Sequence, residues 1–252
     1  MRHADNKAAV RRVHAAAALL LATIVLGGSG AYTPRLSSPD LRNIRTVAVI
    51  SALGNSFVFE HVPSAQHAQL APPDSKFLEI SDWALDPLIM KEASAALARR
   101  FTVKQIVFRP ADFSTWDYSL LKDAALDLNG DPAIDAYVLI LRDWHWDEIG
   151  YGTHALGGLG LYRKDKPNGH SKYGAFASYR IVVVNALTGD TLASREARLS
   201  DDSLPWLPAD ASLWPETPND LTEAQRATLL DDERKLVDAT LLRTLIQMKL
   251  TR

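Results

Sequence analysis

The chain contains no cysteine. That excludes disulfides, a thiolate nucleophile and any zinc site built on Cys ligands. Long hydrophobic runs are scarce as well. The apolar stretch Ala15–Leu26, broken only by Thr23, has twelve positions, short of the roughly 18 that span a bilayer as a helix. No GxSxG elbow, HExxH pair or GxxxxGK[ST] phosphate loop occurs, so the common nucleophile, zinc-protease and P-loop signatures are all missing. Asn-x-Ser/Thr glycosylation acceptors are absent too, which points weakly to a bacterial source.

What is present first is an address. Lys7, Arg11 and Arg12 precede the apolar run, and Gly27-Gly28-Ser29-Gly30-Ala31 comes after it, with Ser29 and Ala31 placed for a cut before Tyr32. This is the layout of a secretory signal peptide over residues 1–31, with an uncleaved anchor as the alternative. With no Cys at its end, the leader is not that of a bacterial lipoprotein. Export places the protein in the periplasm or outside the cell, with no transmembrane span once the leader is cut. The leader holds four basic side chains and one acidic. Of the chain's 28 basic and 30 acidic groups, the remainder therefore keeps 24 and 29. That acidic balance argues against nucleic acid or an anionic lipid surface as a bulk partner.

Residues 32–43, with Pro34 and Pro39, form an extended tether, and residues 44–252 form a single α/β domain. Arg45–Leu53 reads as a buried strand; Gly54-Asn55 then turns into a second strand at Phe57-Val58-Phe59, a hairpin pattern. His61–Asp74 is a loop, and His61 and His67 in it are solvent-exposed. Asp86-Pro87 starts a helix, with Asp86 as N-cap and Leu88, Ile89, Ala93, Ala96 and Leu97 as its apolar stripe. A strand comes next over Thr102–Phe108, and a second helix lies within Ser119–Leu128. Ala136–Leu141, the most apolar strand, belongs at the centre of the sheet. Tyr173–Asn185 and Thr191–Leu199 flank Thr188-Gly189-Asp190 as a hairpin. Asp201–Asn219 is an acidic, Pro-rich loop, and a long helix closes the chain over Glu223–Met248. The fold class is α/β (α+β): a mixed β-sheet with two crossing helices, late β-hairpins and a long C-terminal helix.

The densest local chemistry is Asp143-Trp144-His145-Trp146-Asp147-Glu148, directly after the central strand. If that strand continues, Asp143, His145 and Asp147 share one face and the two tryptophans the other. Carboxylates flanking an imidazole could hold a divalent metal or orient the histidine as a base. A polar strand end whose tryptophans cover the sheet edge explains the same residues. The glycines between Gly150 and Gly160, with His154 among them, suit a mobile loop or a glycine-softened hairpin, with a ligand-gripping loop as the alternative. Trp206 and Trp214, each beside a proline, either stack on a sugar or tuck their loop onto the fold.

Thr46-Val47-Ala48-Val49-Ile50, Ala93-Ser94-Ala95-Ala96-Leu97 before Val103–Phe108, Asp135–Ile140 and Val182–Asp190 together resemble a group of bacterial envelope α/β domains. That group includes the penicillin-binding-protein activator lipoprotein, the curli secretion lipoprotein and the amino-terminal domain of the Tol-system propeller protein. Ser51-Ala52-Leu53-Gly54 and Asp82-Trp83 are also similar to motifs in secreted proteobacterial proteins. The resemblance implies a non-enzymatic envelope role and brings no catalytic residues. Lacking the lipidated cysteine, the chain does not share the lipoproteins' anchoring.

The sequence therefore predicts a non-enzymatic periplasmic protein that binds an envelope protein or a cell-wall component, without a cofactor. Trp144, His145, Trp146 and His154 are the candidate contact residues. The alternative is a metal-dependent hydrolase, or a small-ligand or sugar binder, centred on Asp143, His145 and Asp147.

Overall fold

Two strands with apolar side chains on both faces form the centre of the fold. In β1 (Thr46–Ala52) Val47 and Val49 enter one core, while Ala48, Ile50 and Ala52 enter another on the opposite face. β5 (Ala136–Arg142) alternates in the same way, with Val138 and Ile140 on the first face and Tyr137, Leu139 and Leu141 on the second. Strands covered on both faces suit parallel pairing under helices, and β1 and β5 are parallel, with Ala48 opposite Tyr137 and Ala52 opposite Leu141. The computed structural model describes residues 43–64, 74–113, 118–128, 131–146, 155–200 and 206–251. All of them fall in one compact unit of the chain.

Around this pair the ten described strands form one mixed sheet, ordered β3-β2-β7-β8-β5-β1-β4. β2 is Ser56–Val62, β3 is Asp74–Glu79, β4 is Thr102–Lys104, and β6 is Trp144–Trp146. β7 is Ala155–Asp165, β8 is Ser171–Asn185, β9 is Thr191–Glu196, and β10 is Trp206–Pro208. The fifteen-residue β8 is the spine. Its first half pairs with β7 and β10, and its second half with β5 and β9.

Helix α1 (Leu85–Leu97) places Ile89, Ala93 and Leu97 against the first face, and α2 (Tyr118–Asp127) places Leu121 and Ala125 against the second. The 25-residue α3 (Glu223–Gln247) lies on the first face, with Leu229, Leu236, Val237, Leu241 and Leu245 buried. It opens with a capping box: Gln225 N–H donates to Thr222 Oγ1, and Thr222 N–H donates to Gln225 Oε1. Among the described residues, no helix is long and apolar enough to cross a membrane.

The α/β class, the central β5, the β8–β9 hairpin and the closing helix agree with the sequence pattern. Four local readings need correction. β1 and β2 are not a hairpin: β1 pairs in parallel with β4 and β5, while β2 pairs with β3 and β7. Gly54-Asn55 marks a turn, and a turn does not fix which strands pair across it. Asp86 does not cap α1, because Ala84 holds the N-cap position. Its carboxylate instead accepts from Ser51 Oγ at 2.5 Å and Leu53 N–H at 3.0 Å, tying the end of β1 to the helix. The strand after α1 stops at Lys104, and Val107 is 97% exposed. Asp74–Glu79, where the sequence pattern shows only the end of a loop, is a strand that borders β2.

Candidate functional site

The polar run after β5 sits where the sheet changes partners. β5 pairs with β8 as far as Arg142 opposite Tyr179; β7 takes over from Gly158 opposite Ser178. Asp143 lies at the handover. Its N–H donates to Ser178 O at 3.0 Å, and its carbonyl accepts from Gly158 N–H at 3.1 Å and Ser178 Oγ at 2.9 Å. Its carboxylate accepts from Arg180 Nε and Nη2, both at 2.8 Å. Asp143 is thus buried and its polar groups are engaged by protein, which is the role of a structural counter-ion rather than an open ligand.

The strand β5 breaks off at Arg142. After the break at Asp143 the chain forms β6, which pairs with β7 instead of β8, with Trp144 opposite Gly157 and Trp146 opposite Ala155. From Ala155 onward the glycine-rich stretch belongs to β7, and its earlier part lies outside the described residues. Trp144 is 51% exposed. A Cβ on Gly157 would lie 2.7 Å from its ring, so the indole rests on bare backbone. The next glycine carries the other side chain of this corner. Gly158 has φ +72°, a left-handed backbone that favours glycine, and a Cβ there would lie 2.5 Å from Arg142 Nε.

The structure thus brings Asp143, Trp144 and the backbone of His145 and Trp146 to one corner. Asp147 and His154 lie outside the described residues. Among the described residues, no group of three or more His, Asp or Glu side chains gathers at metal-binding distance.

A second cluster escaped the sequence pattern. His61, read as exposed and unpartnered, has its Nε2 2.8 Å from Asp165 Oδ2. Asp165 Oδ1 also accepts from Ser171 Oγ at 2.7 Å and from Arg163 Nε at 3.1 Å. Burial pushes the Asp165 carboxyl up, but these hydrogen bonds outweigh it and hold it below the usual carboxylate range. Ser171 serves the carboxylate and not the imidazole, so the three side chains do not form a nucleophile–base–acid relay. The cue to this cluster was register: β2 and β7 are parallel, with His61 opposite Arg163, a pairing that no local spacing reveals.

Trp214 covers the same corner. Its ring centroid is 5.8 Å from Phe59 and 6.2 Å from both His61 and Tyr173. Trp206 lies under Lys172, whose Nζ is 4.1 Å from its centroid. Both rings hold their segment onto the fold, and β10 adds backbone pairing to β8.

Two further features hold no open chemistry. Ser119 and Lys122 on α2 have Ser-x-x-Lys spacing, but Lys122 Nζ is paired with Asp190 at 2.7 Å. An open cavity of about 600 Å³ at the far end of the sheet is lined by Asn43, Ile44, Tyr137 and Asn185, among others. Asp135 in its wall accepts from the N–H groups of Arg45 and Thr46 at 2.7 and 2.8 Å, closing the start of β1.

No protein-family model matches the chain, and no curated protein matches it. The resemblance to the envelope lipoproteins therefore gains no support at family level. Likeness to solved structures is weak. A Xanthomonas campestris protein of the DUF330 family model is 7% identical with a TM-score of 0.32, over 86% of this chain and 92% of that one. A Helicobacter pylori protein described as a neuraminyllactose-binding hemagglutinin homolog is 10% identical with a TM-score of 0.32, over 88% and 95%.

Proposed function

We propose that this chain is a non-enzymatic binding module of the bacterial envelope, exported by its first 31 residues, which engages an envelope protein or a cell-wall component through the β6–β7 corner. The observation that carries the reading is Trp144: 51% exposed, on a three-residue strand, with its ring laid on Gly157. A large aromatic side chain held against rigid backbone loses little conformational freedom when it meets a partner, and exposed tryptophans dominate binding energy where they occur at interfaces. β6 pairs only with β7 among the described residues, which suits a partner that adds a strand along it.

Engagement of Asp143 by Arg180 weighs against the alternative. A metal-dependent hydrolase centred on Asp143, His145 and Asp147 would have to break that ion pair to free its first ligand. The sugar-stacking alternative loses Trp214 for a similar reason, since its ring is occupied by Phe59, His61 and Tyr173.

The test is a photo-crosslinking residue placed at position 144 in the exported chain, in cells, with position 187 as control. Leu187 is 86% exposed in the turn between β8 and β9. A discrete adduct at 144 that is absent at 187 is the expected result, and mass spectrometry of the adduct identifies it as protein or cell wall. Equal, diffuse labelling at the two positions would reject this surface.

A further inference from the structure

We propose that Arg142 anchors an oxyanion-binding site at the carboxyl end of β5, taking a carboxylate or phosphate group of the molecule that Trp144 meets. The location rests on the binding role proposed for Trp144; the charge argument stands on Arg142 alone.

Arg142 closes β5, beside the end of β1, where Ala52 lies opposite Leu141. Its stem passes Gly54, and its guanidinium packs on Gly158; both glycines have left-handed backbones, φ +86° and +72°. Nε is buried and donates to nothing. Burial lowers its pKa from the ordinary arginine value, and among the described residues no carboxylate offsets it. The described acids nearest to it are committed elsewhere. Asp143, next in sequence, faces Arg180. Asp86, which reaches the end of β1, is taken by Ser51 and by the N–H groups of Leu53 and Gly54.

Arg142 is half-buried, and a guanidinium partly withdrawn from water with no counter-charge among the described residues is costly, since arginine stays protonated regardless. The group is planar and presents paired donors that match the two oxygens of a carboxylate or phosphate. The place is also suitable. α1 covers one face of β1 and β5 and α2 the other, and in such sheets ligands meet the carboxyl ends of the parallel strands. Trp144 and Arg142 rest on consecutive glycines, Gly157 and Gly158. The aromatic ring and the cation thus lie against adjacent positions of β7, two residues apart in the chain.

The experiment is thermal melting of the full chain, wild type and Arg142→Met, in inorganic phosphate or acetate against chloride at constant ionic strength. The wild type is expected to rise along a saturating curve, by about 5 °C at an anion concentration a hundredfold above Kd. Arg142→Met should show only the shallow, non-saturating rise that excluded salts give any fold. A larger rise in phosphate assigns a phosphate group, and a larger rise in acetate a carboxylate. Parallel curves for the two proteins would overturn the proposal. Should Arg142→Met not fold, the Arg142 Nε–H resonance of the wild type is followed during the same titrations: a saturable shift is expected, and an unmoved resonance overturns the site. Because the melt uses purified chain without partner, its failure leaves the crosslink at 144 intact, and failure of the crosslink leaves anion binding intact.

Discussion

Asp143→Ala lowers the stability of the fold by about 3 kcal/mol, which for a chain of this size is a fall of about 6–12 °C in melting temperature. The variant leaves the Arg180 guanidinium, 22% exposed, without its main counter-ion and frees the 6%-exposed corner where Asp143 sits. Removing one member of a buried pair costs more than the pair contributes, because the remaining charge stays desolvated. Breaking such a pair costs about 3–5 kcal/mol, and the effect falls at the low end because Glu196 lies 3.6 Å from Arg180 and keeps part of the attraction. Replacing both members, Asp143→Ala with Arg180→Met, should recover most of the loss. Urea melts of the single and double variants measure this as a double-mutant cycle. A ligand residue of an open metal site would behave differently: its removal relieves carboxylate crowding and costs the apo protein little.

Glu233→Leu acts in the opposite direction, raising stability by about 1–3 kcal/mol at neutral pH. Glu233 is fully buried on the sheet-facing side of α3, and neither carboxyl oxygen accepts a well-formed hydrogen bond, the Gly160 backbone amide being only a weak donor to it. Burial drives its pKa well above the ordinary 4.5, against a weaker pull from the Gly160 backbone amide. Leucine fills similar volume and removes the poorly paired polar group. The pH dependence gives a second handle. Since the folded pKa is raised, the native state binds more protons than the unfolded chain at any pH between the two values. Stability is therefore fully present below about 4.5 and declines as pH rises through the folded value. Glu233→Gln removes this titration but keeps a buried polar group, so its advantage over wild type should grow with pH across that window. Stability of the three proteins measured by urea melts from pH 4 upward checks both statements, with pH 4 itself as about the point of convergence for wild type and Gln.

Glu233 also shows what a sequence can and cannot disclose. It falls on the apolar stripe of α3, four residues after Leu229 and three before Leu236, so its burial was implied by spacing. Nothing local said that its oxygens would lack well-formed hydrogen bonds. Legibility was best where one segment decided the outcome. The apolar run of β5 and the Thr188-Gly189-Asp190 turn are local patterns, and each folds as patterned. It was poorest where a distant residue decided. Asp86 has the chemistry of an N-cap, but the open amides at the end of β1 claim it from 32 and 33 residues away. His61 finds Asp165 across 104 residues because β2 and β7 happen to be parallel neighbours. At the candidate site the motif itself was visible, but its partition was not. Asp143, His145 and Asp147 read as one constellation with the tryptophans on the opposite face; the switch from β8 to β7 turns Asp143 into the counter-ion of Arg180 and leaves Trp144 on the surface.

That division of roles is the central claim, and Trp144→Ala tests it most directly when compared with Asp143→Ala in one preparation. Melting temperature and recovery of the molecule crosslinked at the β6–β7 corner, through a probe placed at position 145, are read together. The account predicts that Trp144→Ala melts within about 2 °C of wild type, as surface substitutions do, while losing at least tenfold in recovery. It predicts that Asp143→Ala loses stability first. A Trp144→Ala chain that captures the same molecule at undiminished yield would contradict the account.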